Sequence, residues 1–497
     1  MRITRTGLLR TLVLTAATLP LLATVVARWR LNWDSAIFIG QAESLAAGEG
    51  LRYLGWELVK YPPGVPIILT PIIVVAGRDF LLMRGLFALL AMGSVLLTER
   101  LLRPRLGPWP ALAVTVVFAV SYPLWEVALH ISSEPPFLFF SLATLVAADG
   151  WIRKPTPGRG AWVLGLFVAT CLMRVVGLVI GPAIAVALLV QGPREHLRER
   201  ALAAGAVMAV VVGLFLLWSE RDGFVKDPFP AELPEGARYG WQLLVKDPRD
   251  PGSERADPAD YVDRVRTNLS YYSDRLVQNV SAKRARQAWV AALVGVLWAS
   301  GLVVALRTRR GVLEWYTLAY VGIYLVWPFT YGRFLMPLMP IVLYHLALPA
   351  FAFVRRRPGL TIAGCVLVPL AFGAAHWRLV TDIIKREHGE PYEYSATSRT
   401  YRDALDWCRQ NLPENAVIAA DRGPSAWLVT GRRSLSFPRV DDHAAMRRFF
   451  EDYGITHVVE NPLPKVKRFL TPYLEAHAAD FRVVERVGSA VVWEVVR

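Results

Sequence analysis

A mainly α fold, a polytopic bundle of about eleven membrane helices with a small soluble α/β domain at its C-terminal end, is what this sequence predicts. Two observations carry that prediction. The 497 residues are 54% hydrophobic and only 20% charged, with a mean hydropathy of +0.34. A single water-soluble core of this length needs no such apolar excess, so lipid is one solvent of the chain. Arg and Lys, moreover, gather in short clusters between the apolar runs: Arg2, Arg5 and Arg10; Arg100, Arg103 and Arg105; Arg153, Lys154 and Arg159; Arg194, Arg198 and Arg200; Arg307, Arg309 and Arg310; Arg355 to Arg357. Clusters of this kind mark cytoplasmic loops facing anionic lipid. The net charge of +15 is accounted for in that way, and no nucleic-acid partner is expected. Of the three cysteines, Cys171 and Cys365 lie in apolar runs and Cys408 stands alone in a polar region, which supports neither a disulfide framework nor a Cys-based zinc site.

The elements follow from counting crossings between basic clusters. A basic start and the apolar segment 11–28 lack a small-residue cleavage pattern before Arg28-Trp29-Arg30, so the first segment reads as a retained anchor helix leading to the outer side. The next basic cluster begins at Arg100, which allows one span where two apolar stretches exist. Residues 79–98 are long enough to cross, and 65–76, behind Pro62-Pro63, are expected to be an interfacial or re-entrant helix closing an outer loop over 29–64. Residues 109–128 then lead outward and 135–151 inward, around a short outer loop with His130, Ser132, Ser133 and Glu134. The stretch 161–191 begins and ends on the basic side, so it must be a hairpin of two short or tilted helices with Arg174 near the outer bend. Residues 201–218 exit into a polar, Pro-rich outer loop over 219–287, and spans at 288–306, 312–330, 334–354 and 360–377 complete a membrane domain over 1–378.

From 395 to 497 the composition turns soluble and predicts a small extracytoplasmic α/β domain: helices at 401–411 and 441–452, and strands at 416–420, 455–459 and 491–496. No internal repeat is present. Asn268-Leu269-Ser270 and Asn279-Val280-Ser281 match glycan acceptor patterns, triplets that also arise often by chance.

Charges at membrane depth are the informative residues, since an unpaired one costs about 3 kcal/mol or more to insert. Asp34 opens a run closed by Gly48 and reads either as a helix cap or as a functional acid. Lys60 either grips a lipid phosphate or snorkels to the headgroups. Glu134, before Pro135-Pro136, is a helix-start residue or an orienting acid. Arg174 has no acid near it in sequence and must face the protein interior or a bound anion. Arg333 reads as an interfacial anchor beside Trp327 and Tyr331 or as part of a site. Arg84 and His345 are read as packing groups. Asp34, Glu57, Lys60, Glu134, Arg174 and Arg333 nevertheless all fall on the outer side under a topology built without them, and acids and bases converging on one face suggest a site.

These motifs resemble those of GT-C glycosyltransferases, above all the protein mannosyltransferase and lipid A aminoarabinose transferase group. The likeness rests on Asp34 after the first span, Leu45-Ala46-Ala47-Gly48, Lys60-Tyr61-Pro62-Pro63-Gly64, Ser133-Glu134-Pro135, Arg174, and Arg333-Phe334-Leu335-Met336-Pro337-Leu338-Met339-Pro340, and it covers most of 1–350. Asp34-Ser35 departs from the paired acids of the protein mannosyltransferase branch, and Arg174 lacks the proline that often follows it. The resemblance implies a polyprenyl-phosphate-linked sugar donor, transfer with inversion at the outer face of the inner (plasma) membrane, and an acceptor that is a glycan, a lipid or a protein. Asp34 is then the expected general base. Lys60, Arg174 and Arg333 are expected to bind the donor phosphate, whose charge grows as it leaves. Glu57, Tyr61 and Glu134 are expected to orient the acceptor; the two acids leave room for a divalent cation, but no obligatory metal is expected. A transporter or flippase is the first alternative, against which stands the lack of repeated halves. A polysaccharide-to-lipid ligase is the second, and it would draw on Arg238, Arg264, Arg266 and Arg275 of the long outer loop.

Overall fold

The computed structural model describes residues 5–191, 194–219, 226–231, 233, 234, 236, 238–248, 250, 252–281, 288–354, 356–389 and 396–496. Arg2 and Arg355 of the basic clusters, and 220–225 and 282–287 of the long outer loop, lie outside them. The first apolar segment is helical over Arg5–Thr18 (α1) and then tightens into a 3-10 turn, Leu19–Thr24, at Pro20. The helix expected to continue to residue 28 therefore ends early. Helix α2 (Trp33–Ala46) follows, then strands β1 (Arg52–Tyr53) and β2 (Trp56–Glu57), joined through Leu54 and Gly55 at φ of 54° and 89° as a two-residue hairpin turn of this hand requires. Helix α3 (Gly64–Ala76) has 13 residues, about 20 Å, too short for a hydrocarbon core of about 30 Å.

Helix α4 (Phe80–Leu106) is followed by α5 (Pro108–Ala119) and α6 (Tyr122–Ala128), which are bent by 54° to one another where a single helix was expected. Pro123, in the first turn of α6, favours the break, because it has no N–H to continue the bonding of α5, and the chain turns at extended Ser121 (φ −74°, ψ 134°). Next come α7 (Glu134–Arg153), α8 (Pro157–Met173), α9 (Ile180–Val190) and α10 (Leu197–Ser219). The segment over 219–287, expected as an outer loop, is not the irregular loop its prolines suggested, because its described residues hold α11 (Tyr239–Leu244) and the 24-residue amphipathic α12 (Pro258–Ser281). Buried Asn268 of α12 donates to the carbonyls of Tyr324, Leu325 and Trp327 at 3.1, 2.9 and 2.7 Å. It thereby caps the end of α14 (Val312–Val326), which follows α13 (Ala288–Thr308), and its side chain is unavailable to a glycan. A 3-10 turn, Gly332–Leu338, precedes α15 (Met339–Val354), and α16 (Pro358–His388) is longer than the expected 360–377.

Among the described residues, seven helices are long and apolar enough to cross a membrane, or eight if α5 and α6 count as one. The chain is thus a multi-pass membrane protein; reaching about eleven spans would need α8, α14 and the 175–190 segment to cross despite their length. Residues of four of the six basic clusters meet at one end of the bundle. Arg10 meets Glu99, Arg105 and Arg153 share Asp149, Arg309 donates to the Arg105 carbonyl at 2.6 Å, and Gln191 donates to the Arg309 carbonyl at 2.8 Å. At the opposite end a buried triad ties three segments. Arg84 of α4 pairs with Glu387 of α16 at 2.6 Å and donates to the Arg28 and Thr24 carbonyls, while Arg30 reaches the second oxygen of Glu387 at 3.3 Å. Arg84 is therefore the structural group the sequence suggested.

The soluble part comprises α17 (Ala396–Asn411), β3 (Val417–Ala420), α18 (Gly423–Thr430), β4 (Arg433–Ser436), α19 (His443–Asp452), β5 (His457–Glu460), α20 (Thr471–Ala476), β6 (Phe481–Val487) and β7 (Ala490–Val495). Of these, α18, β4, α20 and β6 were not expected. The five strands lie in the order β4-β3-β5-β7-β6, the first three parallel and the last two antiparallel. The domain seats on the first outer loop through aromatic contacts. The Trp427 ring meets Tyr53 edge-on at 5.5 Å, Arg433 lies 4.6 Å from the Trp56 ring and Lys465 lies 5.9 Å from that of Trp33. Gly40 of α2 permits this: a Cβ there would come within 2.9 Å of the Trp427 ring.

Candidate active site

Local capping chemistry decides what Asp34 is free to do. Asn32, in an extended conformation, caps α2 by accepting the Asp34 N–H at 3.0 Å. The cap role left open for Asp34 is thereby taken by its neighbour, and the Asp34 carboxylate projects from the first turn toward Arg333. Arg333 Nη1 donates to Asp34 Oδ2 at 2.8 Å, and the Tyr61 hydroxyl donates to Oδ1 at 3.3 Å.

Arg174 stands where α8 stops. Its backbone is extended (φ −153°, ψ 137°) and the chain then folds into a 3-10 turn, Val175–Val179, packed on the end of α8. Its guanidinium donates to Glu134 Oε1 at 2.5 Å and to Ser133 Oγ at 3.3 Å. Glu134 opens α7 without capping it, and Arg333 Nε lies 3.4 Å from the same Oε1. Arg333 therefore bridges Asp34 and Glu134, and Glu134 bridges Arg333 and Arg174, in an alternating chain of charge. The Glu134 side chain is only 2% exposed, so its charge persists there because two guanidiniums neutralise it.

Gly64 brings the first outer loop to this cluster. A Cβ at Gly64 would come within 2.5 Å of the Leu172 carbonyl oxygen, so only glycine lets the start of α3 lie on the end of α8 beside Arg174. Lys60, four residues earlier, donates to the Pro234 carbonyl at 3.2 Å, with Nζ 5.7 Å from the Tyr61 ring and 5.9 Å from that of Tyr239. Two loops, before α3 and before α11, thus meet beside the acids.

Of the expected site residues, Asp34, Tyr61, Glu134, Arg174 and Arg333 are linked by direct contacts, and Lys60 joins them through the Tyr61 ring. Glu57 stands apart. It pairs with Arg52 at 3.4 Å, and its backbone bonds with Asp227 and Phe229 extend the small hairpin. The long-loop arginines are also committed elsewhere: Arg264 donates to the carbonyls of Leu243, Val245 and Lys246, Arg266 to Asp263, and Arg275 to Gln278.

Aromatic groups complete the site, and sequence reading missed them. Tyr316, Tyr320 and Tyr324 stack along α14 with centroids 5.4 and 4.9 Å apart, and Phe334 continues the row at 4.8 Å. The Tyr320 hydroxyl donates to the Phe334 carbonyl at 2.8 Å, and Arg174 and Arg333 lie 5.4 and 5.9 Å from the Phe334 ring. Their i, i+4 spacing was the available signal. Tyr239 of α11 is a further addition. Burial, and then the Asp34 carboxylate, hold its phenol above the ordinary value, so it remains an O–H donor beside the cluster. Among the described residues no group of three or more His, Cys, Asp or Glu is placed to hold a metal ion. Arg333 lies between Asp34 and Glu134 and contacts both.

No protein-family model and no curated protein sequence matches this chain. Solved structures do. ArnT from Cupriavidus metallidurans in the apo state superposes with a TM-score of 0.60 at 14% identity, over 98% of this chain and 98% of that one. The same protein bound to undecaprenyl phosphate gives 0.58 at 15% identity, over 99% and 98%. The oligosaccharyltransferase AglB from Archaeoglobus fulgidus, in complex with an inhibitory peptide and a dolichol-phosphate, gives 0.57 at 13% identity, over 91% of this chain and 69% of that one. The likeness extends through the soluble tail, beyond the region whose motifs suggested it, and the chain shares the fold of these two proteins.

Proposed function

We propose that this protein transfers a sugar from a polyprenyl-phosphate-linked donor to an acceptor at the extracytoplasmic face of the membrane, with inversion and with Asp34 as general base. The observation that carries the reading is the alternating chain Arg174, Glu134, Arg333, Asp34, in which a basic carboxylate and two phosphate-grade cations lie in direct contact. That ArnT and AglB structures hold undecaprenyl phosphate and dolichol-phosphate supports a lipid-phosphate donor.

Charge counting supports the allotted roles. Asp34 and Glu134 set against Arg174, Arg333 and Lys60 leave the site at +1, the complement of one phosphodiester. When the donor phosphate enters, its oxygens compete with Asp34 for Arg333, and fork-shaped guanidiniums suit that exchange. Freed from Arg333, Asp34 accepts the proton of the attacking hydroxyl while Tyr61 keeps its carboxylate in place. As the glycosidic bond breaks, the phosphate gains a second charge, which Arg174, Arg333 and Lys60 stabilise more than they do the intact donor. Glu134 fixes both guanidiniums and is a positioning residue. Helix α3, too short to cross, leaves a lateral route for the prenyl chain. The divergent commitments of Arg264, Arg266 and Arg275 give no support to a ligase site in the long loop. No step runs through a metal ion.

The test is transfer by the purified full chain in nanodiscs, with a radiolabelled polyprenyl-phosphate sugar and a membrane glycolipid extract as acceptor. Label should move and polyprenyl phosphate should accumulate. Arg174→Ala and Arg333→Ala should each weaken donor binding tenfold or more, and full binding by both variants rejects the assigned phosphate site.

A further inference from the structure

The soluble sheet carries a second polar site. Chain order along its parallel strands is β4-β3-β5, so the path leaves β3 to one side and then crosses to β5 on the other. The carboxyl ends of β3 and β5 are therefore the switch point at which an open α/β sheet forms a crevice. Asp421 directly follows β3 and Asn461 directly follows β5, and they are 3% and 1% exposed. Lys465, partly exposed, pairs with Asp421, and Arg422 Nε lies 3.8 Å from the other carboxylate oxygen. Asn461 spends Oδ1 on the Leu463 N–H at 3.1 Å, which leaves its buried Nδ2 without a partner.

The charges do not balance. Asp421 is one anion against Lys465 and Arg422, and Arg439, in the loop after β4, adds positive field at Lys465. Burial holds the Lys465 amine below the ordinary lysine value despite Asp421, and Arg439 and Arg422 push it the same way. Of these charges Asp421 alone is fully buried, and the surplus positive charge of Lys465 and Arg422, whose side chains are 28% and 40% exposed, faces solvent where an anion can meet it. Surplus cations and a spare N–H donor call for a ligand that is anionic and only accepts hydrogen bonds. The crevice also abuts the membrane half of the molecule, because Lys465 Nζ lies 5.9 Å from the ring of Trp33, the residue before Asp34.

We infer that this crevice binds a phosphate-type oxyanion of the acceptor, with Lys465, Arg422, Arg439 and Asn461 Nδ2 as donors and Asp421 as the positioning residue of Lys465. Only the word acceptor rests on the proposed transferase reading; anion binding itself does not. Equilibrium binding to the full chain in detergent tests it, with glucose 1-phosphate, inorganic phosphate and methyl glucoside as probes. Glucose 1-phosphate should bind, and Lys465→Met and the milder Arg439→Gln should each weaken it at least fivefold, whereas Lys60→Ala and Asp34→Asn should not. Binding of inorganic phosphate as tight as that of glucose 1-phosphate supports the site as one for the phosphate group alone, and weaker binding supports a sugar phosphate. Methyl glucoside binding as tightly as the phosphates, or affinity that follows Lys60 and ignores Lys465 and Arg439, overturns the inference. Transfer that fails while this binding survives strikes only the transferase reading.

Discussion

Asp34→Asn separates chemistry from architecture, because the substitution keeps shape and removes only charge. Asp34 is 19% exposed and Arg333 37%, so solvent screens their pair and its loss costs at most about 1 kcal/mol of stability. Tyr61 can still donate to the amide oxygen, and Asn32 still caps α2. The rate should respond far more. Loss of a positioned general base removes roughly 10²–10⁴ in kcat, about 2.7–5.5 kcal/mol of transition-state stabilisation. Donor binding should move the other way, since the site charge rises from +1 to +2 and Arg333 loses its competitor for the phosphate. The assay is steady-state transfer in nanodiscs with varied polyprenyl-phosphate sugar, beside thermal unfolding of the same preparations. A kcat within tenfold of the parent, or a KM for donor raised tenfold at unchanged kcat, would show that Asp34 binds substrate and does not take the proton.

Gly64→Val should lower transfer at least tenfold, because a Cβ meets the Leu172 carbonyl and pushes the Lys60-Tyr61 loop off Arg174; unchanged kinetics would mean that this approach does not shape the site. Glu387→Gln should destabilise the fold by about 3–5 kcal/mol by stranding Arg84 among buried groups, and thermal unfolding of the purified variant reads this directly. His457 in β5 is held by burial below its ordinary 6.5, with Glu494 opposing. Its folded form resists protonation, so stability is full above about 6.5 and declines as pH falls below that value. The protection of β5 amides against hydrogen exchange, corrected for the intrinsic pH dependence of exchange, should fall from about pH 7.5 to about 5.5, and His457→Gln should remove that part of the change. Treatment with EDTA should leave transfer unaltered, as Arg333 already bridges the acids; a strict requirement for a divalent cation would place the acids in another arrangement during turnover.

Much of this molecule was legible in its sequence. Hydropathy and basic clusters identified the long helices and which of their ends lie together, because the cost of charge in lipid acts on each segment regardless of its neighbours. Proline and capping signals marked the starts of α7 and the short α3, although they misplaced the cap of α2 by two residues and hid α12 behind prolines. Motif order also singled out Asp34, Lys60, Tyr61, Glu134, Arg174 and Arg333, which the fold brings together.

Tertiary structure decided who touches whom. That Arg333 reaches Asp34 across 299 positions, that Glu57 turns to Arg52, that Tyr239 enters the site, and that Asp421 and Asn461 share a crevice depend on where separate elements come to rest. Local propensity is set within a few residues of the chain, whereas the position of a side chain relative to a distant one is set by helix packing, close approaches such as Gly64 on Leu172, and the seating of one domain on another. The sequence by itself therefore determined a membrane bundle with its reactive groups on one side, and only the packed chain determined which of them form a site.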